Sequence, residues 1–335
     1  MALAPPNRPK PGLKAIYEGR EARKPGGKYG RPSTGLYLFG VSAILGSLVV
    51  YHYVSEYQLD SQKRDLLAQQ RAMKTTIGAA WFPLRDEIES YVLDAAKAYK
   101  GDFVDSEAAR WEFRSAPGIY LRMRVADAKD AASLHKGAAE SQKDAFIGCF
   151  LREPNRGAAQ GERDAGAFPE QPWNLGRAYT ATRVLTDEWA EQVKAADDKM
   201  QVRVVEEQYE KASTVDMRTA AEVVKQAKFF LLVLDEDAPE AAAAADGGPI
   251  DEAALQMVPH SSRVHVLDLR TKSELFRLRR EGNASFVFAG ERANADPETR
   301  NAMQRQVNNC SLADQIRVEI DAKKAKAETR DAGGR

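Results

Sequence analysis

Hydrophobic and polar positions divide the 335-residue chain into distinct stretches. Residues 1–35 show no periodicity and hold six of the fifteen prolines and six glycines, a composition that predicts an extended, disordered tail. From Pro32 to Ser55 there is no Asp, Glu, Lys or Arg. Within that window residues 36–54 read LYLFGVSAILGSLVVYHYV, ten of them Leu, Ile, Val or Phe. As a helix this run spans about 28 Å, close to the hydrocarbon thickness of a bilayer. Tyr37 stands at one end and Tyr51, Tyr53 and Tyr57 at the other, where aromatic belts lie. The pattern predicts one transmembrane helix of the signal-anchor kind. The apolar run is too long for a cleaved signal peptide, and no A-x-A-like site follows it.

Helical spacing then continues in polar surroundings at Leu59, Leu66, Met73 and Ile77. It predicts a helical stalk over 55–99, kinked or ended near Pro83 and resumed as a second helix over 84–99. The folded domain is expected over 100–325, with a disordered end at 326–335. Predicted strands are 119–125, where apolar residues alternate with Arg, 145–151 (AFIGCFL), and 229–234 (FFLLVL), the last too apolar for anything but the interior. Residues 263–279 (RVHVLDLRTKSELFRLR) read as a β-hairpin. Their wording resembles one repeat of a β-propeller blade, but no second copy exists and a propeller is excluded. Helices are predicted over 126–142, 175–211 and 215–227, the last capped by Ser213 or Thr214. The long one carries the stripe Leu185, Trp189, Val193, Ala196, Met200 and Val204. A final helix begins at the cap Asp296 with Pro297 in its first turn. Residues 152–173 and 236–250 read as loops. The fold class that follows is α+β: an N-terminal transmembrane helix, a stalk, and a domain whose mixed or antiparallel sheet is packed by long helices.

Charge gives this arrangement a direction. Formal net charge is zero, but residues 1–35 carry eight Lys/Arg against Glu18 and Glu21, leaving the remainder acidic. Only Lys63, Arg64, Arg71 and Lys74 follow within about 20 residues of the span. The positive-inside rule places the N-terminus in the cytoplasm and the domain outside it. With no organelle signal, the bilayer is read as a bacterial inner membrane. A mildly acidic domain gives no reason to expect nucleic acid. Ser42, Ala43, Gly46 and Ser47 place small residues on one helix face, a seam for homo-oligomerisation.

Signals of chemistry are few. Cys149 and Cys310 are the two cysteines; in an oxidising space they can pair, and otherwise they are two buried thiols. His52, His135, His260 and His265 form no metal-ligand spacing, and no nucleophile-elbow or phosphate-loop motif occurs. His265 is expected to pack within a strand, and His260 to sit unpartnered in a loop. Asn283 and Asn309 begin glycosylation sequons. Asp235, Glu236 and Asp237 follow directly on FFLLVL, and this run resembles the first motif of haloacid-dehalogenase-type phosphatases. The resemblance implies Asp235 as nucleophile or ligand and Asp237 beside it at a divalent metal. Pro239 departs from the motif, and no matching Lys or late Asp pair follows. The preferred reading is therefore a membrane-anchored extracytoplasmic binding, scaffolding or assembly component, with no catalysis, no cofactor and no metal. Its partners are the lipid bilayer and other envelope proteins. The alternative is an extracytoplasmic metal-dependent hydrolase using Asp235 and Asp237.

Overall fold

The computed structural model describes residues 34–141, 143–152, 172–239, 252–284 and 296–333. The chain divides into two units, Met1–Ser61 and Gln62–Arg335. Helix α1 (Thr34–Met73) begins in the first unit. A π-helical turn (Lys74–Gly78) leads from it into α2 (Ala79–Ala95). By length and composition alone this apolar N-terminal helix is a candidate membrane span. Large side chains between Tyr37 and Val54, among them Phe39, Ile44, Leu48 and Val50, are exposed to the surroundings.

The second unit is built on six strands: β1 (Phe103–Val104), β2 (Gly118–Arg124), β3 (Trp173–Asn174), β4 (Phe229–Asp235), β5 (His260–Asp268) and β6 (Ser273–Gly282). Their order is β1-β6-β5-β4-β2-β3. β2 runs parallel to β3 and β4, and the remaining pairs are antiparallel, so the sheet is mixed. β4 is buried along its whole length and apolar from Phe229 to Leu234, because both of its faces are covered. Ile119, Leu121 and Met123 of β2 share one face with Phe230, Leu232 and Leu234 of β4. They pack on α2, α3 (Ala131–Glu140), α5 (Leu175–Thr182) and α8 (Met217–Gln226). Phe229, Leu231 and Val233 face the other way with Val264, Val266 and Phe276. There α4 (Ala145–Phe150) and α10 (Pro297–Gly333) close the second core. A third cluster joins the lower part of α1 to α6 (Asp187–Ala195) and α7 (Lys199–Lys211) around Trp189. The short α9 (Glu252–Leu255) precedes β5.

Several expectations change. The segment expected as a free stalk belongs to the domain from Gln62 onward. Leu66 packs beside Trp189, the Gln70 amide donates to the Val184 and Thr186 carbonyls at 3.0 and 2.9 Å, and Trp81, Ile88 and Val92 are core residues. Pro83 lies inside α2, not at a helix end; a π turn just upstream is a recognised site of helix bending. Residues 145–150 form a helix where a strand was expected. The run is short and wholly apolar, so periodicity cannot separate the two states, and Asp144 decides it by capping: its Oδ1 accepts from Phe146 N at 3.0 Å.

The single helix expected over 175–211 is three. Thr186 and Asp198 cap α6 and α7, accepting from Trp189 N at 3.3 Å and Gln201 N at 2.8 Å. The second break shifts the apolar phase. Leu185, Trp189, Val193 and Ala196 are buried as expected, but Met200 and Val204 are exposed while Val202, Val205 and Tyr209 turn inward. Ser213 and Thr214 cap nothing; their hydroxyls bond back to the Glu210 carbonyl within a π turn, so helicity is continuous from α7 into α8. The last helix begins at its cap, with Thr299 N 2.9 Å from Asp296 Oδ1, and continues to Gly333 where disorder was expected. The hairpin is formed by β5 and β6. Asp268 Oδ1 holds its turn by accepting from Arg270 N at 2.8 Å. Most of the loop expected at 152–173 and most of that at 236–250 lie outside the described residues, and Trp173, expected at the end of the first loop, opens β3.

Candidate functional site

Asp235 ends β4 on the face covered by α4 and α10, and it is completely buried. A carboxylate there requires a counter-charge and filled lone pairs. Arg122, two residues beyond Tyr120 on the same face of β2, supplies both. Its Nε and Nη2 donate to Asp235 Oδ2 and Oδ1 at 2.6 and 3.0 Å, a bidentate pair. Ser262 Oγ, opposite Asp235 on β5, donates to Oδ1 at 2.6 Å, and His260 Nε2 stands 3.2 Å from the same oxygen. Arg122 Nη1 donates to Asp144 Oδ2 at 2.6 Å and to Asn309 Oδ1 on α10 at 2.7 Å. Tyr120 OH donates to that same Asp144 oxygen at 2.9 Å. Asn309 passes the chain to Gln256, and Gln256 Nε2 donates to Glu252 Oε1 at 2.9 Å. The network thus links β2, β4, β5, α4, α9 and α10 through one fully buried guanidinium.

The electrostatics follow from this crowding. Burial by itself would raise the Asp235 carboxyl; the Arg122 charge and then His260 override it and hold Asp235 below the usual carboxylate range. Glu252 is placed differently. Its nearest approach to Arg122 is 4.0 Å, and burial, helped by the charges of Asp235 and Asp144, pushes it up to about 8 against the pull of Arg122. One arginine is shared among three carboxylates, and burial favours the protonated form of Glu252 at neutral pH.

The two acids singled out in the sequence do not converge. Asp235 turns into the core, whereas Asp237 is half exposed and accepts from Arg124 Nη2 and Nε at 2.6 and 3.1 Å. Both Asp235 oxygens are engaged, Oδ2 by Arg122 and Oδ1 by Arg122, Ser262 and His260. Among the described residues no group of three or more His, Cys, Asp or Glu side chains is placed to hold a metal ion. Cys149 on α4 and Cys310 on α10 are joined, with Cα atoms 5.1 Å apart and 161 residues of sequence between them. The bond ties together the two helices that carry Asp144 and Asn309.

All three domain histidines of the sequence analysis have acid partners, His135 Nε2 lying 2.7 Å from Glu89 Oε1. His265 Nδ1 lies 2.8 Å from Glu274 Oε1, which also accepts from Tyr91 OH at 2.9 Å, while its Nε2 is buried without a partner. His260, expected to be unpartnered in a loop, opens β5 and bridges Asp235 and the Val258 carbonyl. Asn309 is buried with its amide donated to Gln256, so its sequon is closed to glycosylation. Arg122 was not singled out in the sequence. The one available signal was an arginine at an inward position of a strand, opposite a second strand that ends in Asp. In comparisons with family models, curated proteins and solved structures, nothing matches the chain.

Proposed function

We propose that this protein is a single-pass, membrane-anchored binding or assembly component of a cell envelope, with its folded domain on the extracytoplasmic side and no catalytic centre of its own. One observation carries the reading: the helix between Tyr37 and Val54 leaves its large apolar side chains exposed, and covering them needs an apolar medium. The basic tail supports the orientation. The bond between Cys149 and Cys310 supports an oxidising compartment, because such bonds persist outside the cytosol. Partners are lipid and other envelope proteins, and Ser42, Ala43, Gly46 and Ser47 supply a close-approach face for a second copy in the bilayer. Fractionation of cells expressing the full chain tests the anchor. Retention in the membrane pellet through alkaline carbonate is expected, and release into the supernatant overturns the proposal. The hydrolase reading keeps one point in its favour, the position of Asp235 at the carboxyl end of a central strand. It requires that Mg²⁺ or Mn²⁺ raise the melting temperature and that Asp235→Asn abolish that rise.

A further inference from the structure

We propose that the cleft at the carboxyl ends of β2 and β4 binds a small organic anion with an apolar body. The inference goes beyond the membrane-anchored reading and does not depend on it. β2 and β4 are parallel neighbours, but the chain leaves β2 towards β3 on one side and leaves β4 towards β5 on the other. The strands that follow them therefore lie on opposite sides, and in sheets of this kind the opening at such a point is where ligands are held. Here the opening is a cleft of about 800 Å³, bounded by the C-terminal end of α2 and within the range of small-molecule sites.

Its floor is apolar, formed by Leu93, Val125 and Ala128 among others. The acids on its wall already have partners. Glu236 accepts from Arg263 at 2.6 Å and also from Arg279, and Asp237 is held by Arg124. Arg263 is further committed to the end of α2, donating to the Lys97 and Ala95 carbonyls at 2.5 and 3.2 Å. Two ammonium groups remain on the rim. Lys129 makes no hydrogen bond or ion pair among the described residues. Lys97 reaches only Asp94 at 3.5 Å, an acid already bonded to Lys100 at 2.7 Å. Two under-committed cations over an apolar floor select a carboxylate or phosphate attached to a hydrocarbon or aromatic group.

Calorimetric titration of the purified full chain tests this with phenyl phosphate, benzoate and the neutral benzyl alcohol. Saturable binding of either anion at about 1 mM or tighter is expected, at least about tenfold stronger than benzyl alcohol. The anion that binds identifies the headgroup. The Lys97→Glu, Lys129→Glu double variant should weaken the anion by about tenfold or more without changing the melting temperature. If that variant melts lower, the Gln pair at the same positions is the arbiter. Absence of saturable binding by both anions, equal binding of the alcohol, or binding unchanged in the folded variant overturns the proposal.

Discussion

Arg122 is the residue on which the second core depends, since three carboxylates and one amide are arranged around it. Arg122→Met would leave Asp235 buried without its cation, and a loss of about 3–5 kcal/mol of unfolding free energy is expected in urea titrations. Replacing both partners, as in Arg122→Met with Asp235→Leu, should recover much of that loss, because paired removal strands no charge. Glu252 sets a pH dependence of definite sign. Its folded-state value of about 8 lies above the ordinary 4.5, so the folded state holds a proton that the unfolded chain releases. This contribution is complete below about pH 4.5 and lost as pH rises through about 8. Asp235 acts oppositely: its depressed value makes its contribution complete above the ordinary 3.8 and lost in stronger acid. Melting temperatures of wild type and Glu252→Gln from pH 5 to pH 9 check the first of these. The wild type should fall on the alkaline side, and the variant should flatten there. The pairing itself was not legible along the chain. Arg122, Asp144, Asp235, Glu252 and Asn309 are scattered over almost two hundred positions; Asp235 stood out only as a carboxylate at a strand end, and nothing local tied it to Arg122.

At the scale of elements, caps decided what periodicity left open. Strands β2, β5 and β6 were legible because apolar alternation has no helical explanation at that length, and β4 was legible as a run for the interior. The 145–150 segment was not, since six apolar residues suit a buried strand and a buried helix equally until Asp144 caps one of them. The expected stripe over 185–204 failed beyond Ala196 for a related reason: Asp198 restarts the helix and rotates its phase. Truncation of the buried Trp189 to Ala should therefore cost about 3–5 kcal/mol, whereas Met200→Lys or Val204→Lys should change stability by less than about 0.5 kcal/mol. Denaturant midpoints separate these outcomes. The Cys149–Cys310 bond joins α4 to α10 across a 161-residue separation. Its removal by paired Ser substitution is expected to lower stability by about 4–5 kcal/mol on the chain-entropy account, with the same downward shift in melting temperature when the wild type is reduced.

For the molecule as a whole, the exposed apolar helix and the folded unit from Gln62 impose separate requirements. A charge in the middle of the span, such as Leu45→Arg, should weaken insertion by about 2.5–3.5 kcal/mol and raise the carbonate-extractable fraction, leaving the domain's own melting unchanged. The amino-acid sequence by itself determined the candidate span, the charge asymmetry around it, the interior strand at β4 and the start of the last helix. These are local properties, set by runs of side-chain chemistry a few turns long. Only the tertiary structure decided where the domain begins, which helices cover each face of the sheet, and that Asp235 is a buried counter-ion for Arg122. Those outcomes depend on which distant segments meet, and burial turns such meetings into energy: a carboxylate at a strand end can serve as a ligand in water but must be paired once helices close over it.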